Sequence, residues 1–217
     1  EVKAAGALID YITLTQKDQH PPLQIPQKLQ GHTYLQMDAA TRRNLELVQT
    51  LGGKREGSLL DTIDYTLTSA GSRLLDHTLS FPLRDLERIN ARLDQVESVV
   101  RNTELRTALR EALKNCPDGE RTLSRLSLNR GGPRDVKAIQ AMLETARSLR
   151  DVLEKEITST SNHPLARFAA ALITVPGLEN KIDHMIVDAP PVLARDGNFI
   201  RPGYLAELDE NRALRDN

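Results

Sequence analysis

The sequence predicts an all-α protein, a multi-helix bundle with at most a minor β-ribbon. Apolar residues recur at intervals of three and four along most of the 217 residues, the spacing that places side chains on one face of a helix. Short runs of alternating apolar and polar residues, which would indicate strands, are rare. Hydrophobic residues make up 39% of the chain and aromatic residues only 3%, so Leu, Ile, Val and Ala must build the core.

The two longest helices have the clearest apolar faces. One spans 85–102, and its face is formed by Leu86, Ile89, Leu93, Val96 and Val100. We expect Leu93 to be buried there and its change to Ala to cost about 2–5 kcal/mol. The other begins at Gly132-Pro133, because proline is tolerated in a first helical turn, and its face is formed by Val136, Ile139, Leu143, Ala146, Leu149 and Leu153. Shorter helices are predicted over 2–16, 39–50, 58–65, 69–80, 103–114, 120–128, 165–173 and 178–187, and from 204 onward.

The segments between helices carry turn and extended signals. Ser58 followed by Asp61 is a capping-box pattern that marks a helix start. Residues 33–37 and 198–200 are the best strand candidates. Three prolines within 20–26 exclude a helix there, so we expect a linker between the first helix and the rest of the chain.

Composition and charge exclude several classes of protein. Lys and Arg number 29 and Asp and Glu 30, so an autonomous nucleic-acid module with a basic face is not expected. Cys116, the single cysteine, is interpreted as an inert side chain in a reducing, cytoplasmic protein. The longest apolar stretch, 168–175, is far shorter than the roughly 20 residues that span a bilayer. Because the chain lacks an initiator Met and ends in a helical pattern, we expect a piece of a longer protein.

Patterns that carry chemistry are mostly missing from the sequence. Gly52-Gly53-Lys54 resembles part of a phosphate-binding loop, but Val48 stands where that motif needs glycine and Arg55 where it needs Ser or Thr. The nearest approach to a metal-ligand pair is His184 with Asp188, and a helix surface contact explains that spacing better. No catalytic residue, metal ligand or cofactor site is therefore predicted.

The arginines after residue 120 are the most informative charged residues. Arg121 and Arg125 lie four apart on one short helix, with Arg130 and Arg134 close behind. Like charges at this spacing repel unless carboxylates or phosphates lie between them. A structural network with acidic side chains of neighbouring helices is favoured, and a phosphate-contacting patch is the alternative.

Several motifs resemble the MutS family of DNA mismatch repair proteins, in the family's order and over nearly the whole chain. The segment MDAATRRNLEL at 37–47 closely resembles the signature that opens the family's core domain. Further matches are GSRLL at 71–75, LSFPLRD at 79–85, INARL at 89–93, ERTLSRL at 120–126, PRDV at 133–136, IVDAPP at 186–191 and ELDE at 207–210. The chain departs from the family at Thr78, where Trp is common, and at Gly119, where a helix former is usual.

The resemblance implies a mechanical role within a larger protein. Residues 1–26 would be the C-terminal end of a connector domain, and 27–217 the core or lever domain, ending on the lever helix before the clamp. The implied role is structural coupling of mismatch-DNA binding to the ATPase domain, with no enzymatic activity in this segment. ATP and Mg would bind the parent's ATPase domain. Expected partners are the parent's other domains, mismatched duplex DNA through the parent and a second parent copy in a homodimer, with no membrane.

The residues expected to hold the helices in register lie at motif positions. They are Asp38, Thr41, Asn44, Glu46, Arg121, Arg125, Arg134 and Asp135, and their pairing partners are left open. Two other classes remain as alternatives. One is a helical protein–protein interaction module unrelated to repair, which would dock partner helices in an apolar groove. The other is an α-helical enzyme with inward carboxylates, which is disfavoured because no His/Glu or metal constellation has usable spacing.

Overall fold

The structure is a computed structural model, and it describes residues 2–16, 23, 25, 34–157 and 163–216. The helices in these residues are α1 (Val2–Gln16), α2 (Ala39–Asn44), α3 (Leu59–Ile63), α4 (Ser69–Ser80), α5 (Leu86–Arg101), α6 (Thr103–Leu113), α7 (Gly119–Ser127), α8 (Pro133–Ile157), α9 (Ala166–Ala171), α10 (Pro176–Met185) and α11 (Ala206–Asp216). A short 3₁₀ helix spans Ala194–Asp196. The described extended pairing consists of two isolated antiparallel bridges, Tyr34 with Leu83 and Ile186 with Ile200. The all-α prediction is confirmed.

Short polar side chains fix where most helices begin. In each case a side-chain oxygen accepts a hydrogen bond from the backbone N–H three residues on, which satisfies a donor that the helix itself cannot. The N-cap residues of this kind are Asp38, Ser58, Thr68, Asp85, Asn102 and Asp118. At α3 the predicted helix start is confirmed, since Ser58 accepts from the backbone N–H of Asp61 at 3.2 Å. The Asp61 carboxylate reaches back past the N-cap and accepts from the backbone N–H of Gly57 at 3.0 Å.

The chain divides into two compact units. The first, called the α7–α10 unit, contains α1, residues 117–144 and residues 174–216. The second, called the α2–α6 unit, contains residues 34–116, 145–157 and 163–173. Helix α8 contributes residues to both.

Each unit has its own aliphatic core. In the α7–α10 unit the buried side chains are Ile139 and Leu143 of α8 with Ile182 and Ile186 at the end of α10. In the α2–α6 unit they are Leu105, Leu153, Leu165 and Ala169. The apolar face predicted for α8 is confirmed, because all six of its residues are buried or half-buried.

Two of the helix predictions are wrong in part. Most of the apolar face predicted for α5 is exposed, with Leu93 at 57% and Leu86, Val96 and Val100 at 70%, 54% and 60%. The reason is that α5 packs on α6 through a neighbouring face that puts Val99 against the Leu105 cluster. Helix α2 ends at Asn44 and does not continue to 50. Glu46 adopts a left-handed backbone with φ 47°, a conformation that cannot continue a right-handed helix. The linker predicted at 20–26 falls almost entirely outside the described residues.

Candidate functional site

The junction between α7 and α8 brings three predicted residues together in the α7–α10 unit. Asp135 lies in the first turn of α8, and its Oδ2 accepts a hydrogen bond from the backbone N–H of Gly132 at 2.8 Å. The same oxygen is 3.1 Å from an amino group of Arg125 on α7. Arg134 donates from Nε to the carbonyl oxygen of Pro190 at 3.0 Å. One turn of α8 is thus tied to α7 on one side and to the segment after α10 on the other.

Arg121 is placed differently from Arg125. Its Nε is 3.6 Å from Asp118, the N-cap of its own helix, and its side chain is 72% exposed. Its carboxylate contact is therefore local to α7. The side chain of Asp135, by contrast, is only 10% exposed. Its carboxylate is therefore largely removed from water, and the hydrogen bonds from its protein partners take the place of hydration.

Glycines make room for the close approaches in this unit. A Cβ on Gly132 would lie 2.4 Å from the carbonyl oxygen of Val192, so a side chain there would push the two segments apart. A Cβ on Gly119, at the start of α7, would lie 1.8 Å from the sulfur of Met142 on α8. The departure from the family at position 119 is therefore matched by Met142, which occupies the space that a side chain at 119 would need.

A second polar network lies in the same unit and was missed by sequence reasoning. Lys137 of α8 contacts Gln140 at 2.9 Å and Asp183 of α10 at 3.4 Å, and the Gln140 amide donates to Asp183 at 3.3 Å. These contacts, led by the Gln140 hydrogen bond, hold the pKa of Asp183 below its usual value. Arg201 donates to the Asp183 carbonyl oxygen at 2.8 Å. Asp183 is 46 residues from Lys137, 43 from Gln140 and 18 from Arg201 in sequence, so only the Lys137–Gln140 spacing was a local signal.

The His184–Asp188 contact predicted from sequence is wrong. Helix α10 ends at Met185, so Asp188 is not on its surface. His184 Nδ1 contacts the carbonyl oxygen of Asn180 at 2.7 Å. Asp188 instead forms an ion pair with Arg201 and lies 3.8 Å from Lys137.

The other four predicted residues surround α2 in the α2–α6 unit. Asp38 accepts from the backbone N–H of Thr41 at 2.6 Å, which lowers the pKa of Asp38. Glu46 accepts from the backbone N–H of Leu51 at 2.6 Å, and its carbonyl accepts from Leu59 at 3.0 Å. Asn44 is exposed and is the last residue of α2. The observed contacts of Asp38, Thr41 and Glu46 therefore shape the chain around α2. Their role in holding helices in register stays a prediction.

Comparison with known proteins identifies the family. The family model described as MutS domain III matches residues 40–217. The chain belongs to the MutS family. The DNA mismatch repair protein MutS of Paracoccus denitrificans (strain Pd 1222) is 46% identical over 216 residues. The proteins of the same name from Rhizobium meliloti (strain 1021) and Roseobacter denitrificans (strain ATCC 33942 / OCh 114) are 45% and 47% identical over 217 and 220 residues. Each alignment covers 100% of this chain and 24%, 23% and 24% of these MutS relatives in turn.

Within the part of the MutS chain that the structure describes, no group of three or more His, Cys, Asp or Glu could hold a metal ion. Burial raises the pKa of the Cys116 thiol, which disfavours the reactive thiolate. The Gly52-Gly53-Lys54 segment forms a turn, with φ 78° at Gly53 and a hydrogen bond from the Thr50 N–H to the Lys54 carbonyl oxygen at 2.8 Å. Because α3 begins only at Leu59, this turn does not lead directly into a helix as a phosphate-binding loop does. No helix among the described residues is long and apolar enough to cross a membrane.

Proposed function

We propose that this MutS core segment couples the mismatch-DNA-binding part of its parent to the ATPase part. The contact between Arg125 and Asp135, reinforced by the Gly132 N–H, is the observation that carries the proposal. It joins two helices through a nearly buried carboxylate whose partners lie on separate segments. A contact of this kind is either made or broken, and so favours a few discrete helix arrangements over continuous deformation.

The physical basis of the coupling is a difference in free energy between arrangements. A carboxylate that is 10% exposed cannot lose its partners without a desolvation cost. If ATP binding and DNA binding favour different helix arrangements, each shifts the population seen by the other, typically by about 1–3 kcal/mol. The segment itself has no enzymatic role in this proposal.

The wider context of the proposal follows the family. Residues 1–26 end a connector domain, and 27–217 form the core, ending on the lever helix before the clamp. The parent binds mismatched duplex DNA and, in its ATPase domain, ATP with Mg. It acts as a homodimer in the cytoplasm, and this segment's direct partners are the parent's other domains.

The experiment uses the full-length parent and compares Arg125→Gln with Arg121→Gln. Both changes remove one charge from α7, but only Arg125 contacts Asp135 of α8. We expect Arg125→Gln to leave ATP-free mismatch affinity within about threefold and to weaken ATP-induced DNA release about tenfold, because it removes a differential contact between states. Arg121→Gln is expected to change neither by more than about twofold.

The measurement is dissociation of a mismatched duplex with and without ATP. Collapse of mismatch affinity in both variants with an intact ATP effect would favour the phosphate-contacting patch instead. Equal and small effects of both variants would also contradict the proposal, because ATP-induced DNA release would then not depend on the α7–α8 contact.

A second candidate function, helix docking, is favoured by one face of α5. Leu86, Leu93, Val96 and Val100 recur at heptad spacing and are 54–70% exposed. This spacing suits a seam against another helix. Analytical ultracentrifugation of the chain tests whether a second copy covers the face: Leu93→Glu should abolish any self-association, whereas Arg92→Glu should not.

A further inference from the structure

Helix α11 has little apolar packing in the α7–α10 unit. Among its described side chains, Leu208, Asp209 and Arg212 are half-buried and the others are exposed. Leu214 is 77% exposed, and Leu205, just before the helix, is 51% exposed. Helices in proteins are held in place mainly by packing of an apolar face. With only Leu208 partly covered, the direction of α11 depends largely on its two half-buried polar residues.

Arg212 joins α11 to the carbonyl oxygen of Ile200. One guanidinium nitrogen donates to this carbonyl at 2.9 Å, and the other donates to Asp209, three residues earlier in the helix, at 2.9 Å. An Asp–Arg pair on an exposed helix surface would contribute little. Here the side chains of Arg212 and Asp209 are only 21% and 33% exposed, and Ile200 is 12 residues away in sequence. The pair therefore fastens α11 to another segment.

Asp209 also fastens the loop that leads into α11. Its other carboxylate oxygen accepts a hydrogen bond from the backbone N–H of Gly203 at 2.6 Å. Gly203 has φ 82°, a left-handed conformation that glycine adopts without strain. This hydrogen bond, with a smaller contribution from Arg212, holds the pKa of the Asp209 carboxyl below its usual value. The carboxylate is therefore ionised at neutral pH, and it orients the guanidinium that reaches Ile200.

The acceptor, Ile200, belongs to a well-anchored part of the unit. Its side chain packs against the aliphatic cluster of α8 and α10, and its backbone pairs with Ile186 in an antiparallel bridge. The next residue, Arg201, donates from its backbone N–H to the carbonyl of Met185 and from Nε to the carbonyl of Asp183, both at 2.8 Å. Arg212 therefore ties α11 to a segment that is itself fixed to α8 and α10.

We propose that Arg212 is a positioning residue for the coupling, because it sets the direction of α11 relative to α10 and the Ile186–Ile200 bridge. The inference rests on the coupling role proposed above and names the contact through which an arrangement of α8 and α10 reaches α11. Without Arg212, the loop and Leu208 would hold the helix, and α11 would sample several directions in place of one. Arg212 contacts neither DNA nor ATP in this role.

The direction of α11 is measured in the full-length parent, free of nucleotide and DNA, as the distance between two spin labels. The labels replace the exposed residues Lys181 of α10 and Leu214 of α11, in a protein whose native cysteines have been changed. We expect one narrow distance distribution with Arg212. Arg212→Gln and Arg212→Lys should both broaden or shift it, because an ammonium cannot replace a guanidinium that donates to two acceptors in a fixed geometry. Arg195→Gln, which removes an exposed arginine of the same unit, should leave it unchanged.

Dissociation of a mismatched duplex with and without ATP tests whether this placement serves the coupling. Both Arg212 variants should keep ATP-free mismatch affinity within about threefold and weaken ATP-induced release about fivefold. They should also keep the wild-type circular dichroism and melting temperature, which a merely structural loss would change. Arg195→Gln should alter neither affinity nor release by more than about twofold.

The outcomes separate this inference from the coupling proposal. An unchanged distance distribution in both Arg212 variants would overturn the inference, and so would full rescue by Arg212→Lys, since charge alone would then suffice. A changed distribution with wild-type ATP-induced release would overturn the positioning role if Arg125→Gln weakens release in the same assay. If neither Arg125→Gln nor the Arg212 variants weaken release, the coupling is refuted and the positioning role is refuted with it.

Discussion

The change Asp135→Ala tests how much the α7–α8 junction contributes to stability. It removes the hydrogen bond from the Gly132 N–H, at 2.8 Å, and the ion pair with Arg125, at 3.1 Å. A hydrogen bond to a charged group contributes about 1.5–3 kcal/mol. The ion pair adds only about 0.2–1 kcal/mol, because Arg125 is 58% exposed. We therefore expect a loss of about 2–4 kcal/mol in local stability.

The matched control is Asp151→Ala on the same helix. Asp151 is exposed, so its change should cost no more than about 0.5 kcal/mol. Because the chain has two units, a single unfolding midpoint would mix their responses, and amide hydrogen exchange in the first turn of α8 is the better assay. Equal losses in both variants would show that the buried carboxylate does not fasten the junction.

Two further predictions concern the α2–α6 unit. Leu93→Ala should lower the free energy of unfolding in urea by less than about 1 kcal/mol, whereas Leu105→Ala should lower it by about 2–5 kcal/mol. The reason is that the Leu93 side chain is 57% exposed and the Leu105 side chain only 4%. Similar losses in both variants would refute this assignment of the α5 face. Hydrogen bonds from Ser72 and Thr66 hold the pKa of the Asp64 carboxyl well below its usual value of 3.8. The ionised Asp64 carboxylate therefore stabilises the fold above about pH 3.8, and this stabilisation is lost as the pH falls below that value. The melting-temperature difference between wild type and Asp64→Asn should then shrink on acidification. A difference that grows would contradict the assignment.

Local sequence signals were sufficient for most helix boundaries. Ser69–Ser80 is observed as predicted, and the capping pattern at Ser58 is present as predicted. These signals depend on residues within one turn of each other, so they can be read without tertiary context. The early end of α2 was missed because nothing adjacent indicates that Glu46 adopts a left-handed backbone.

Which face of a helix is buried depends on its neighbours in the fold and not on local sequence signals. The apolar spacing of α5 is real, but Leu93 is exposed because the choice of face depends on α6 and the Leu105 cluster. The same limit applies to the candidate site. A carboxylate partner for Arg125 was expected from the sequence. That this partner is Asp135 follows only from the structure, because it depends on how closely α7 and α8 approach each other. The Lys137–Asp183 contact depends on the packing of α8 and α10.

The tight fit of Gly119 against Met142 has a consequence for exchanging segments between relatives. A side chain at 119 and a long side chain at 142 compete for the same space, so each position restricts what the other accepts. A chimaera that takes α7 from a relative with a larger residue at 119, but keeps α8 from this chain, would be overpacked at the helix crossing. The two positions should therefore be transferred as a pair.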